Sequence, residues 1–225
     1  MHQTPFGGAT HVSVSILSDP ENVFVSKVLP KIPRGVETYH LTSLTILWSG
    51  LIIVFSGLAR SSLHWLWGVS LMIAMQYLTD VLDGKIGKLR NTGLVKWGFY
   101  MDHFLDYLFL SSIIIGYSLI APPGLAFYFL ALLTLLGALL VHSYLAFAAT
   151  NQLRVHFFRF GPTEARVLFI LVNTILVFTG TQHFVVSVPA TVVVGLLVVA
   201  ALVFRMQRTL WRLDMEAKRL NSHGQ

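Results

Sequence analysis

Six windows of about 20 mostly apolar residues take up most of this 225-residue chain. The hydrocarbon core of a bilayer needs about 20 apolar residues per crossing helix, so each window is long enough to span it. Backbone groups in hydrocarbon must be hydrogen-bonded within the segment itself, which favours helices. The sequence therefore predicts an all-α integral membrane protein, a six-helix bundle with spans at about 41–59, 63–83, 98–120, 124–149, 164–181 and 185–205.

The composition agrees with a membrane protein and excludes several kinds of site. Only 12% of the residues are charged and 55% are hydrophobic, whereas a soluble domain is about a quarter charged. The absence of cysteine excludes disulfides, thiolate zinc sites and cysteine nucleophiles. The net charge of +6 comes from basic residues that flank the spans, which indicates retention at an anionic membrane surface and not binding to nucleic acid.

The positions of the basic residues predict which way the spans run. Lys and Arg precede span one, lie between spans two and three and between four and five, and follow span six. The 3–4 and 5–6 connections contain none, and the 1–2 connection has Arg60 alone. Because positive loops stay in the cytoplasm, both termini are predicted to be cytoplasmic.

Three regions follow from this organisation. Residues 1–38 form an N-terminal tail, in which residues 22–32 could form an amphipathic juxtamembrane helix on the membrane surface or remain disordered. Residues 39–206 form the six-helix domain, and residues 207–225 form a cytoplasmic C-terminal tail. We expect the protein to reside in the cytoplasmic (inner) membrane.

Four of the ten acidic residues lie within or beside spans two and three: Asp80, Asp83, Asp102 and Asp106. The spacings of three and four residues put each pair on one face of its helix. A short basic hairpin joins the two helices as antiparallel neighbours, so the pairs can face each other across one cavity that opens to the cytoplasm. Carboxylates in a membrane are costly and mark functional sites.

Bound cations are the usual compensation for such a cluster. Oxygen ligands without cysteine or a matched histidine pair favour Mg²⁺ or Mn²⁺ over zinc. Four carboxylates suffice for a two-metal clamp on a diphosphate. Residues that could let phosphate approach the backbone, or bind its oxygens, lie close by in the sequence: Gly84, Gly87, Lys88, Arg90 and Gly98. The glycines could equally serve close helix packing, and the cations the orientation rule.

A second polar cluster surrounds the start of span five. Gly161-Pro162-Thr163-Glu164 can begin a helix, with Pro162 in the first turn and Glu164 complementing the helix dipole. Alternatively, Arg154 and Arg166 form an anion pocket for an acceptor or a lipid headgroup. The sequence leaves both interpretations open.

The acidic region as a whole carries a specific pattern, Asp80-x2-Asp83-Gly84-x2-Gly87-Lys88-x9-Gly98-x3-Asp102-x3-Asp106. It closely resembles the signature of the CDP-alcohol phosphotransferase family, D-x2-D-G-x2-A-R-x8-G-x3-D-x3-D. Two departures are visible. Gly87-Lys88 replaces Ala-Arg, which keeps a positive charge but loses a bidentate donor, and the gap before Gly98 is one residue longer.

The resemblance implies an enzyme that moves a phosphate-bearing group from a CDP-linked donor to an alcohol and releases CMP. By the resemblance, Asp80, Asp83 and Asp102 hold two divalent metals with help from Asp106, which also acts as general base. The resemblance places Gly84, Gly87 and Lys88 along the cytidine diphosphate. It also implies a homodimer. The distribution of the basic residues places the four aspartates, and with them the active site, on the cytoplasmic side.

Several alternatives remain open at the level of sequence. CDP-diacylglycerol is the favoured donor, with a small alcohol as acceptor, and the rival is a CDP-choline- or CDP-ethanolamine-type enzyme that acts on diacylglycerol. An inactive relative is a third possibility, given the Gly87-Lys88 departure. A cation-coupled transporter is disfavoured, because no chain of acids continues across the bilayer beyond Asp106.

Overall fold

The computed structural model describes residues 28, 32–33, 35–90, 94–150 and 162–223, without the side chains of Lys88, Pro162, Ser222 and His223. These ranges contain six α-helices and no β-strand, which confirms the all-α class. The helices are α1 (Thr38–Ala59), α2 (Leu66–Arg90), α3 (Val95–Ile120), α4 (Ala126–Thr150), α5 (Pro162–Thr179) and α6 (Phe184–His223), with a 3₁₀ turn at Leu63–Trp65 before α2.

Five of the six helices are long and apolar enough to cross a membrane. The remaining one, α5, has 18 residues and carries Glu164, Arg166 and Asn173. It occupies the place of the predicted fifth span. The six-span topology, with both termini in the cytoplasm, therefore stays a prediction.

Two glycines with positive φ reverse the chain at the ends of the hairpins. Gly124 has φ +90° in the turn after α3, and Gly180 has φ +80° in the turn after α5. L-residues with a Cβ rarely adopt this conformation, so these turns need glycine. Both turns coincide with the breaks between predicted spans.

The last helix is longer than predicted. The sequence indicated a span that ends near residue 205, whereas α6 continues without a break to His223. Arg, Met, Leu, Glu, Ala and Lys are frequent beyond residue 205 and favour helix. The predicted C-terminal tail is therefore helical over its described residues. The predicted juxtamembrane helix at 22–32 falls almost entirely outside the described residues.

The helices pack against one another in a series of pairs. Helix α1 contacts α2 and α3, α2 contacts α5, α3 contacts α4, and α4 contacts α6. Ile52, Leu66, Ile73, Phe109 and Ile113 are at most 1% exposed and centre the core. Because lipid is as apolar as this core, close packing and interhelical hydrogen bonds stabilise such a bundle more than burial does.

A buried polar network ties three helices together below the acidic residues. The Tyr117 hydroxyl on α3 donates to Asn173 Oδ1 on α5 at 2.9 Å, and Asn173 Nδ2 donates to Ser70 Oγ on α2 at 3.0 Å. Asn173 is fully buried. It lies two helical turns from Arg166, so the network fixes both the depth and the rotation of α5.

We expect Asn173→Leu to destabilise the bundle. The substitution leaves the hydroxyls of Tyr117 and Ser70 without this partner in a buried site, which costs about 1–3 kcal/mol. A melting temperature several degrees lower in detergent is the expected result. Thr174→Val is the control, because the Thr174 hydroxyl donates to the carbonyl oxygen of Ile170 within its own helix. Equal melting temperatures for the two variants would contradict this account of the network.

Candidate active site

The structure brings the four aspartates together at the end of α2 and the first turns of α3. Asp80 and Asp83 lie on α2, and Asp102 and Asp106 lie on α3. Asp106 interacts electrostatically with the three other aspartates, and Asp83 interacts with both Asp80 and Asp102. The Asp80–Asp83 pair and the Asp102–Asp106 pair therefore face each other, as the sequence predicted.

These carboxylates are reachable by a ligand. Their side chains are only partly buried, with exposed fractions of 25% for Asp80, 33% for Asp106 and 48% for Asp102. Because each also lies in a helix that can cross the membrane, the cluster forms a polar recess within otherwise apolar surroundings.

Arg166 of α5 inserts among the aspartates. Its side chain is 6% exposed, and Nη2 lies 2.9 Å from Asp80 Oδ2 and 3.6 Å from Asp106 Oδ1. Its Nε donates to Gln76 Oε1 at 2.7 Å, and the guanidinium lies near the rings of Tyr77 and Phe109. Arg166 therefore joins the acidic pairs of both helices to α5.

The α1 helix also contributes to the site. The Thr42 hydroxyl donates to Asp83 Oδ2 at 2.8 Å, and the Thr42 side chain is buried. Neither Thr42 nor Gln76 was predicted. Gln76 lies one turn before Asp80 on the same helical face, a signal that sequence could have given. A threonine in an apolar window offers no such signal.

His103 packs beside the cluster without pointing into it. Its Nδ1 lies 2.7 Å from the Phe99 carbonyl oxygen and 3.9 Å from Asp102 Oδ2. Its ring contacts those of Phe99 and Tyr144. The imidazole thus supports the start of α3 by packing.

The predicted phosphate-binding residues have different surroundings. A Cβ added at Gly84 or Gly98 would meet no atom within 4 Å, in contrast to Gly68, where it would lie 2.9 Å from the Phe55 ring. Gly84 and Gly98 therefore do not mediate close helix packing among the described residues, and a ligand could approach their backbone. Gly87 lies in α2, one turn beyond Asp83.

Arg90 contacts the segment that precedes α1. It donates to the carbonyl oxygens of Val36 and Pro33, and its Nη1 lies 3.8 Å from Glu37 Oε1. These contacts anchor the end of α2 to the start of α1. The Lys88 side chain, Arg154 and Gly161 lie outside the described residues, so their predicted roles stay predictions.

The oxygen ligands that the four aspartates offer are suited to divalent cations. All four acids offer carboxylate oxygens, the ligands that Mg²⁺ and Mn²⁺ prefer. The negative charge of the four carboxylates together exceeds the single positive charge of the Arg166 guanidinium, which contacts Asp80 and Asp106. Within those ranges no three acidic or imidazole groups are already arranged around a metal position. The carboxylates that bind Arg166 would have to share or exchange that partner when cations bind.

The fold and the site together define an all-helical membrane protein with an acidic recess between its second and third helices. The CDP-alcohol phosphatidyltransferase family model matches residues 39–206. This is most of the chain, so the protein belongs to that family, and the resemblance seen in the sequence is confirmed. The family consists of transferases of phosphate-containing groups. No curated protein matches the chain with significant similarity.

Proposed function

We propose that this protein transfers the phosphatidyl group of CDP-diacylglycerol to the hydroxyl of a small alcohol and releases CMP. The observation that carries the proposal is the meeting of four partly exposed carboxylates from α2 and α3 inside the matched region. A diphosphate donor needs its charge neutralised, and a bound pair of divalent cations does so.

Each aspartate has a proposed role. Asp80, Asp83 and Asp102 would hold the two divalent ions, Mg²⁺ or Mn²⁺, with help from Asp106. Bound there, the ions would neutralise the diphosphate and stabilise charge on the leaving oxygen. Gly84, Gly87, Lys88 and Gly98 would lie along the cytidine diphosphate, and the open space at two of these glycines supports this.

Asp106 is the proposed general base. Its carboxylate accepts the proton of the acceptor hydroxyl while the alcohol oxygen forms a bond to the lipid-bearing phosphorus. The bond from that phosphorus to the oxygen shared with CMP breaks, and CMP leaves with the electron pair. Asp106 is 33% exposed, so an alcohol can reach it.

Arg166 is proposed to stabilise an anionic group of the acceptor or of a lipid headgroup, together with Arg154. Its guanidinium lies 2.9 Å from Asp80 Oδ2, which is the distance of a charge-assisted hydrogen bond. From this position it also restricts where the acidic side chains can move. The burial of Arg166 and its contacts on both acidic helices support a role at the centre of the reaction.

CMP release tests the proposal directly. Purified protein in detergent is given CDP-diacylglycerol, Mg²⁺ or Mn²⁺, and in turn glycerol phosphate, inositol, inositol phosphate or serine. We expect CMP to appear with one of these alcohols and to stop on chelation. CMP release only with CDP-choline or CDP-ethanolamine plus diacylglycerol would identify the alternative donor class. No release with any pair would contradict the transferase proposal and favour an inactive relative.

We expect Thr42→Val to weaken donor use. The valine is nearly isosteric but removes the hydrogen bond that orients Asp83, and hydrogen bonds to charged groups contribute about 1.5–3 kcal/mol. The KM for CDP-diacylglycerol should rise about tenfold or more, with a smaller change in kcat. Thr45→Val, at a buried threonine one turn further along α1, is the control. An unchanged KM in Thr42→Val would remove Thr42 from the site.

A further inference from the structure

An apolar cavity of about 520 Å³ lies between α3 and α4, beside the acidic recess. Helix α3 lines it with Phe99, Phe104 and Tyr107, and α4 lines it with Gly137, Leu140 and Tyr144. Among the described residues, its lining contains no carboxylate, lysine or arginine. The volume falls in the range of about 300–1,000 Å³ that is usual for small-molecule sites.

The cavity adjoins the acidic site along α3, because His103 lines the cavity and its Nδ1 lies 3.9 Å from Asp102 Oδ2. Phe99, His103 and Tyr107 repeat every four residues on a face that adjoins the face of Asp102 and Asp106. On the α4 side, Tyr144 interacts electrostatically with both of those aspartates. A molecule whose charged group lies at the aspartates can therefore extend directly between α3 and α4.

We propose that this cavity holds a hydrocarbon chain of the CDP-linked lipid, an inference that rests on the proposed function and assigns the lipid part of its substrate. Aromatic and aliphatic walls suit a hydrocarbon chain, whereas a polar alcohol would lose its hydrogen bonds to water there. The outer wall is open, because Tyr100 and Phe104 on the cavity are 65% and 46% exposed. A chain can thus enter sideways while its diphosphate remains at the recess.

Gly137 offers a way to fill the cavity without disturbing the helices. A Cβ at this position meets no atom within 4 Å, so Gly137→Leu extends an isobutyl group into free space. Gly50→Leu is the matched control, because Gly50 is also a helical glycine with no atom within 4 Å and lies on α1, away from the cavity.

The first test compares donors that differ only in chain length. With dioleoyl CDP-diacylglycerol, Gly137→Leu should raise KM about tenfold with little change in kcat, since about one leucine-sized apolar contact is lost. With a dihexanoyl donor the two leucine variants and the unmodified protein should give similar KM values. Equal effects on both donors, or none on the dioleoyl donor, would overturn the assignment.

A second test reads binding without turnover. The protein in phosphatidylcholine nanodiscs is irradiated with CDP-diacylglycerol that carries a diazirine at the chain end, and the adducts are located by mass spectrometry. We expect adducts on α3 and α4 that excess CDP-diacylglycerol prevents, and fewer of them in Gly137→Leu. Adducts on other helices, or adducts that phosphatidylcholine prevents equally well, would overturn the proposal and indicate bulk lipid in the cavity.

The two tests separate this inference from the function on which it rests. If the unmodified protein releases no CMP but the probe still labels α3 and α4 with CDP-diacylglycerol competition, the transferase proposal fails and the lipid site stands. If CMP is released normally while the label lies elsewhere, the lipid site fails and the transferase proposal stands.

Discussion

Replacing Asp106 with asparagine should lower the turnover of CMP release about 10²–10⁴-fold, the usual contribution of a general acid or base. The amide has nearly the shape of the carboxylate but cannot accept the proton of the acceptor hydroxyl. Asp106 lies 3.6 Å from the Arg166 guanidinium and is not its closest acidic partner, since Asp80 lies at 2.9 Å. The contact between Arg166 on α5 and Asp80 should therefore remain, and the variant should still fold.

The measurement is kcat for CMP release, together with the melting temperature of the same preparation. Asp214→Asn is the control, because it makes the same chemical change in the C-terminal part of α6, outside the site. A folded Asp106→Asn protein with turnover within a few fold of the unmodified one would remove Asp106 from the role of base.

Replacing Arg166 with methionine should both abolish most activity and destabilise the protein. Arg166 is buried and bonds to Gln76 and Asp80, so its loss leaves a carboxylate and an amide oxygen without their cation. Breaking a buried ion pair in this way costs about 3–5 kcal/mol. Arg166→Lys should recover part of the stability, because lysine keeps the charge but loses the planar fork.

Thermal melting with and without divalent cations makes this prediction sharper. If the carboxylates bind Mg²⁺ or Mn²⁺, the added ions should raise the melting temperature of Arg166→Met more than that of the unmodified protein, since they supply the missing positive charge. Arg208→Met, an exposed arginine on α6, is the control. A melting temperature of Arg166→Met equal to that of the control would contradict the central position of Arg166.

The sequence predicted much of the site because its information is local. Spacings of three and four residues put Asp80 with Asp83 and Asp102 with Asp106. The short connection brings both pairs to one site, although α2 and α3 each pack on α1 and not closely on each other. The all-α membrane fold was likewise predicted from local information, namely the apolar windows of about 20 residues. These features depend on helical periodicity and on chain connectivity, both of which can be read from one sequence.

The contacts between distant helices could not be predicted in this way. Arg166 is 86 positions from Asp80, and sequence indicated only that both lie near one membrane surface. The hydrogen bond from Thr42 to Asp83 depends on how α1 is rotated against α2. Arg90 was assigned to the diphosphate by its charge and position, whereas the structure places its hydrogen bonds at the segment before α1. Packing angles decide these partners, and one sequence does not fix them.

Binding of Mn²⁺ to the purified protein, followed by electron paramagnetic resonance in the presence of CDP-diacylglycerol, tests the central claim most directly. The account predicts about two bound ions per chain and their loss in Asp80→Asn and in Asp102→Asn, with binding retained in Asp214→Asn. Mn²⁺ that remains free at saturating lipid, or binds equally well to all three variants, would contradict the claim that these carboxylates form the metal site of a CDP-alcohol phosphotransferase.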